Sequence, residues 1–349
     1  MEFMNGCLSI LMHLVILVFL VFYLPISYLW RLVLFVFVKP FTMEDMKDKV
    51  VLITGASSGI GEQLAYQYAK RQASLVIVAR RENALKEVAK NAREMGSPDV
   101  LVIAADVSDS CESKRVIDET ISHFGKLNHL VANAGIWSCC LFEEITNISA
   151  FTQLMDVNFW GSVYPTYYAI PHLKNSNGNI IVTASIAGQV PTARMSFYNA
   201  SKAALIRFYE TIRSELGSKV RVTIVCPGYV ASELTKGKVL KQGGEVGIDE
   251  QVRDVQVGPF PVGYADKCAE VIVDSACRGD EYVTWPSWYR PFNMIMCVAP
   301  EVINWFSQCF YGTTPGTDLN HTLSKRILES SGAKKFLYPS SIRSSNSKD

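Results

Sequence analysis

No CxxC pair, no zinc-like array of cysteine and histidine and no excess of charge of either sign occurs in this chain of 349 residues. Each absence removes a class of function. The nine cysteines, an odd number, are scattered from Cys7 to Cys309, so neither a disulfide framework nor a metal site is expected, and the thiols read as free in a reducing compartment. The five histidines fall in unlike segments and add no ligand set. With 34 Lys and Arg against 33 Asp and Glu, the formal charge of +1 leaves no electrostatic footprint for nucleic acid, and none is expected as a partner.

What the chain does have is an apolar run from Leu8 to Val38 in which only His13 and Arg31 can carry charge. About 20 residues at ~1.5 Å rise each cross a bilayer, so the run is long enough to span or enter one. It starts with Glu2 rather than basic residues and shows no small-residue cleavage site, so a cleaved signal peptide is not expected. Proline inside a helix removes a hydrogen bond, so Pro25 predicts a kink or a reversal. Two geometries follow: one tilted span, or two arms meeting near Pro25 and dipping into one leaflet or a neutral-lipid core. Lys39, Lys47 and Lys49 follow the run while no Lys or Arg precedes it, which places the remainder on the cytosolic side. Residues 1–43 thus read as an anchor to the endoplasmic reticulum membrane or a lipid-droplet surface.

After Met43, β-branched runs alternate with helical stretches, the pattern of an α/β, Rossmann-type doubly wound parallel sheet of about seven strands over residues 44–285. Strands are predicted near Val50 to Thr54, Leu75 to Ala79, Val100 to Ala104, His129 to Ala132, Asn179 to Ala184, Arg221 to Val225 and Tyr282 to Thr284. Over residues 228–264 the alternation lapses into a long loop rich in Gly, Lys and Gln, expected to cover a substrate. Residues 286–349 open with an aromatic stretch to Tyr311, which is either a second apolar surface or ordinary packing. A tail containing Ser340, Ser341, Ser344 and Ser345 reads as disordered.

The segment TGASSGIG, Thr54 to Gly61, follows the first strand and opens a helix. Glycine there permits a tight turn and close backbone approach to a pyrophosphate, whose charge the helix amides stabilise, so Gly55, Ser57, Ser58, Gly59, Ile60 and Gly61 are expected to bind a dinucleotide. An acid about 20 positions later would bond a ribose 2′-hydroxyl. The second strand instead ends in Arg80 and Arg81, whose forked donors suit a 2′-phosphate, so NADP(H) is expected over NAD(H) unless Glu82 engages one of them. Asp106 is placed to meet the adenine, and Asn133, Ala134 and Gly135 the floor of the site.

Tyr198 and Lys202 stand one turn apart on a helix expected from about Ser196 to Leu216, and Ser185 ends the preceding strand. A phenol of ordinary pKa ~10 must be drawn toward neutrality to exchange a proton with a substrate oxygen, and a neighbouring ammonium is expected to do so while Ser185 holds that oxygen. The order of these motifs, with Asn158 between the second and third, resembles the short-chain dehydrogenase/reductase family from about Lys49 to Thr284. That resemblance implies a role for Asn158 in a proton relay to Lys202, and a homodimer formed through the helices near Asn158 and Tyr198. More narrowly, the leader with Pro25, the stretch MSFYNASKAAL and the segment VRDVQV resemble steroleosins, plant oil-body hydroxysteroid dehydrogenases, although those proteins carry several clustered prolines where this chain has Pro25. The resemblance implies a sterol or steroid substrate. A reductase of another lipid carbonyl, such as a retinoid or long-chain keto compound, would use the same residues, and a droplet-coating protein with a relic domain is the reading of a different class.

Overall fold

A computed structural model describes residues 1–38, 43–316, 318–330, 332 and 334–343, without the side chains of Arg31, Phe35 and Val38. Lys39, Ser344 and Ser345 therefore lie outside the described residues. The chain forms two compact units, Met1–Glu44 and Asp45–Asp349.

In the first unit, α1 (Glu2–Val18) and α2 (Leu24–Val33) are joined by a π turn over Phe19–Tyr23, and a second π turn, Leu34–Val38, follows. The chain does not reverse at Pro25, because Leu24 keeps right-handed helical angles (φ −59, ψ −50). Pro25 stands just after the π turn Phe19–Tyr23, whose wider turn accommodates a ring that lacks the N–H of the usual helical bond. Over Glu2–Trp30 the helix runs for 29 residues and holds an 18-residue stretch with a mean hydropathy of 2.7, long and apolar enough to cross a membrane.

The second unit is built on a seven-stranded parallel sheet of β1 (Val50–Thr54), β2 (Ser74–Ala79), β3 (Val100–Ala104), β4 (His129–Ala132), β5 (Asn179–Thr183), β6 (Arg221–Pro227) and an edge strand, β9 (Tyr282–Trp285). Its spatial order is β3-β2-β1-β4-β5-β6-β9. All five residues of β1 are buried, as a strand covered on both faces requires, and its register (Ile53 beside Ile77 and Val131) locks it between β2 and β4. One face carries α3 (Gly59–Ala69), α4 (Glu82–Glu94) and α10 (Ala265–Arg278); the other carries α5 (Ser110–Phe124), α7 (Gly161–Ser176) and α8 (Ser196–Leu216). Leu64, Ile272 and Val273 fill the first core and Leu130, Leu173 and Tyr209 the second, each contributing about 1.5–3 kcal/mol. The order of the strands switches direction between β1 and β4, so their carboxyl ends open a crevice, the place where such sheets bind ligands.

Residues 228–264 are not the bare loop expected. They hold an antiparallel hairpin, β7 (Lys238–Leu240) with β8 (Val246–Ile248), and a helix, α9 (Glu250–Val257), capped by the Asp249 side chain accepting from Val252 N at 2.9 Å. The hairpin is pinned by Trp137, whose Nε1 donates to Lys238 O at 2.6 Å and whose carbonyl accepts from Leu240 N at 2.9 Å. After β9 come α11 (Arg290–Val298), α12 (Pro300–Tyr311), α13 (Leu323–Ser330) and the short α14 (Lys334–Leu337), while α6 (Thr152–Met155) precedes a π turn, Asp156–Trp160.

Nor are Ser340 and Ser341 disordered: they form a 3-10 turn with Ile342, which is 2% exposed. This end of the chain is strapped across α9. Arg253, itself 1% exposed, donates to Ile342 O at 3.1 Å and to Asp254 at 2.9 Å, Lys334 pairs with Asp254 at 2.7 Å, and the Tyr338 hydroxyl donates to Gly258 O at 3.0 Å. The buried guanidinium is tolerated because Asp254 meets its charge, with Nη2 2.8 Å away, although Nη2 makes no hydrogen bond of its own.

Candidate active site

Gly55 and Gly59 take the left-handed angles φ +68 and +61 that favour glycine, bending the chain from β1 into α3. A Cβ on Gly55 would stand 2.8 Å from Ala134 Cα, and one on Gly61 2.3 Å from Gly55 O, so the turn is stacked tightly on the segment after β4. Thr54 joins the two. Its hydroxyl accepts from Asn133 N at 3.0 Å and Ala134 N at 3.1 Å, and its carbonyl accepts from Asn133 Nδ2 at 3.1 Å. Sequence reasoning left Thr54 out of the site; the signal was its position, a hydroxyl residue at a strand end directly before the first glycine.

Beside this turn stand both arginines from the end of β2. Arg81 Nη2 donates to Ser57 Oγ at 3.1 Å and Ser58 Oγ at 2.8 Å, while Arg80 lies 3.7 Å from Asp106, with 65% of its side chain exposed. Such an exposed pair is worth little by itself, so Arg80 stays available to an incoming anion. Glu82 does not engage either arginine; it pairs with Lys86 at 2.8 Å, one helical turn on. Asp106 is held by Ser108, whose N–H and hydroxyl donate to it at 3.0 and 2.7 Å.

On the other side of the crevice, Ser185 follows β5 and accepts from Ala187 N at 3.1 Å. Lys202 sits on the buried stripe of α8 with Leu205, Tyr209 and Ile212, and its Nζ donates to Thr183 O at 2.9 Å, binding α8 to the strand that delivers Ser185. Nζ lies 5.9 Å from the centroid of the Tyr198 ring. Burial lowers Lys202 to about 8, with the Cys226 thiol acting weakly against it. Burial raises the Tyr198 phenol, and a hydrogen bond with Ser185 offsets this only in part. Loss of water around the hydroxyl outweighs that hydrogen bond.

Asn158 stands behind this wall, in the π turn Asp156–Trp160, a helix irregularity common at functional sites. Its Nδ2 donates to Ile136 O and Ser201 Oγ, each at 2.9 Å, and its Oδ1 accepts from Ile136 N at 2.8 Å. Gly135 is fixed in consequence, with room for a Cβ only 3.2 Å from Asn158 Oδ1.

Every other residue expected at the site lines one cavity of about 670 Å³, which the fold brings together from the glycine turn, Arg80, Arg81, Asp106, Asn133 to Gly135, Ser185, Tyr198 and Lys202. Its far wall is apolar and aromatic, made by Val257, Phe260, Tyr289, Phe292, Phe306 and Tyr311. The C-terminal stretch therefore meets both readings of it. One face packs on the cavity, and the other leaves Met294, Val298 and Trp305 at 70%, 85% and 66% exposure.

The family model for short chain dehydrogenase matches residues 49–243. The chain is 48% identical over 343 residues to 11-beta-hydroxysteroid dehydrogenase 1A of Arabidopsis thaliana, covering 98% of both chains. It is 52% identical over 301 residues to 11-beta-hydroxysteroid dehydrogenase A of Arachis hypogaea, covering 86% of both. Among solved structures, a short chain dehydrogenase/reductase from Burkholderia phymatum in complex with NAD superposes with a TM-score of 0.67 over 74% of this chain and 96% of that one; at 24% identity it speaks for the fold alone. Sheet order, glycine turn and relatedness along nearly the whole length agree: the chain belongs to the short-chain dehydrogenase family, nicotinamide-dependent oxidoreductases, in its steroleosin-like branch.

Proposed function

We propose that the protein is an NADP(H)-dependent hydroxysteroid dehydrogenase that interconverts a secondary alcohol and a ketone, with its catalytic unit tethered to a membrane or lipid-droplet surface. The observation that carries this reading is the single cavity in which Ser185, Tyr198 and Lys202 share walls with both the glycine turn and the aromatic C-terminal helices. The relatives' printed name supplies the steroid class.

The residues present fit a dinucleotide. Gly59 leaves an open cradle in which a Cβ would stand 3.0 Å from Ser232 Cβ, and the amides opening α3 point where a pyrophosphate would lie. Arg80, Arg81 and Ser57 would hold a 2′-phosphate, Asp106 the adenine end, and Asn133 to Gly135 with Lys202 the nicotinamide half. When bound there, such a dinucleotide would supply the hydride donor or acceptor for the substrate carbon. In ketone reduction the Tyr198 O–H gives its proton to the carbonyl oxygen as the C–H bond forms, and Ser185 donates a hydrogen bond to the same oxygen. In alcohol oxidation the proton returns to the phenolate. Lys202 stabilises that phenolate across the ring, and Asn158 holds Ile136 O in place for a relay by which Lys202 is resupplied with protons.

Cofactor choice is tested on the arginines. Arg80→Ala combined with Arg81→Ala is expected to raise KM for NADPH by about tenfold or more per arginine and leave KM for NADH within a few fold, since only the phosphate meets the guanidiniums. A wild-type preference for NADH at equal concentration overturns the NADP(H) reading. Tethering rests on the apolar helix Glu2–Trp30, roughly 43 Å long at 1.5 Å per residue, which exceeds a hydrocarbon core of ~30 Å and fits a tilted span. The full chain should sediment with carbonate-washed membranes or float with droplets, while a chain begun at Met43 stays in the supernatant. A soluble full-length chain refutes the tether. A retinoid or long-chain keto substrate is separated from a steroid by a substrate panel, and a relic coat protein by its lack of turnover with every member.

A further inference from the structure

Arg194 stands just before α8, in the segment that leads to Tyr198, and takes the left-handed angle φ +70 although it is not glycine. A bulky residue keeps that angle only where its surroundings fix it. Its backbone is fixed by Cys140, whose N–H donates to Arg194 O at 2.8 Å, and the segment is held to α8 by Asn199, whose Nδ2 donates to Thr192 O at 2.9 Å. The side chain, 6% exposed, reaches the end of α12, where its Nη1 donates to the carbonyl of Gly312, the cap residue of that helix, at 2.9 Å. A cation there also meets the negative end of the helix dipole. Nη2 lies 3.6 Å from Glu144 Oε2, and the Glu144 carboxylate in turn accepts from Gln242 Nε2, between β7 and β8, and from Gly316 N, each at 3.3 Å. One residue before Arg194, Ala193 N donates to Ser307 Oγ on α12 at 2.8 Å. The chain entering the catalytic helix is thus tied directly to the helix that carries Phe306, Ser307 and Tyr311 to the cavity. None of these ties involves Ser185, Tyr198, Lys202 or the glycine turn.

We propose that Arg194 is a positioning residue that seats α12 against the start of α8, holding the aromatic far wall where a large apolar ketone needs it. It sets affinity for the part of the substrate remote from the carbonyl and takes no part in proton or hydride transfer. The proposal rests on the hydroxysteroid reading of the cavity and adds what holds its substrate wall. Binding made equally in the ground and transition states is expressed in KM with kcat unchanged, and that split is the signature of such a residue.

The test uses the full-length protein with NADPH, a steroid ketone, and cyclohexanone, which is too small to touch the reacting groups and the aromatic wall together. Arg194→Gly accepts the φ of +70 without strain and removes the clamp. KM for the steroid ketone is expected to rise by about tenfold, with kcat and KM for NADPH within about twofold of wild type and kcat/KM for cyclohexanone within the same margin. Arg194→Lys keeps the charge but not the fork that meets Gly312 O and Glu144 together, and should recover part of the loss. Hydrogen exchange read by mass spectrometry should quicken over α11 and α12 and keep its wild-type rates over α8 and the parallel sheet. An unchanged KM for the steroid, or an equal loss with cyclohexanone, overturns the proposal. Exchange that quickens throughout the second unit also overturns it, since Arg194 would then serve general stability. Glu144→Gln leaves the Arg194 backbone untouched and should show the same split at a few fold; a parallel change in kcat there counts against the clamp. If wild type turns over no steroid, the hydroxysteroid reading falls, while the exchange pattern still decides whether Arg194 seats α12.

Discussion

Replacing Tyr198 with Phe is expected to lower NADPH-dependent turnover of a steroid ketone by about a thousandfold, within the 10²–10⁴ range of a positioned proton donor, while dinucleotide binding and membrane association persist. The substitution removes one oxygen from a partly buried ring on α8 and keeps the ring itself in place. The same oxygen sets the pH dependence. Burial raises the phenol, so the protonated form that reduction requires persists through neutral pH, and the reductive rate should fall only on the alkaline side. Oxidation needs the phenolate and should rise with pH over the same range, so the two profiles are expected to cross. Unchanged turnover in Tyr198→Phe would remove the assignment of the proton donor, and with it the catalytic reading of α8.

Lys202→Met should move activity and stability in opposite directions. The ammonium is 4% exposed, and its folded pKa is about 8 against an ordinary 10.5, a difference equivalent to about 3 kcal/mol. Below pH 8 both folded and unfolded chains carry the charge, and the folded state bears its full desolvation penalty. Between pH 8 and 10.5 the unfolded chain keeps a proton that the folded one has released, so stability rises with pH and the penalty vanishes above that window. Methionine is close to lysine in length and carries no charge. At pH 7 the variant is therefore expected to be more stable than wild type by about 2–3 kcal/mol in urea unfolding, with the gap closing by pH 10.5, while turnover is lost. A wild type that is the more stable at pH 7 would mean that Lys202 is a structural donor to Thr183 and not a charge retained for function against its cost.

The two cases show where local pattern stops being informative. β1, β3 and β4 match their predicted bounds; for β1, buried along its whole length, the reason is that a strand covered on both faces is apolar throughout, and a run such as Val50, Val51, Leu52, Ile53 fits little else. The glycine turn, the tyrosine and lysine one turn apart and Ser185 were legible for a similar reason: each role requires a residue type at a fixed offset from an element already recognised. The hairpin β7–β8 escaped because strands of three residues carry no usable period; Trp137, a hundred positions earlier, supplies their partner. The strap from Lys334 to Arg343 reads as a polar tail because the groups that bury it, Arg253, Asp254 and Gly258, come from α9 and the turn after it.

The sequence by itself determined the α/β order, the glycine bend, the placing of Tyr198 one helical turn before Lys202 and the apolar leader, since these depend on neighbours within a few positions. Only the tertiary structure decided that the leader stays helical past Pro25, that the C-terminal helices line the cavity and that burial raises the Tyr198 phenol. The last is a sum over water excluded by many distant side chains, and desolvation of that kind is set by packing density around an atom, which no local pattern of residues encodes.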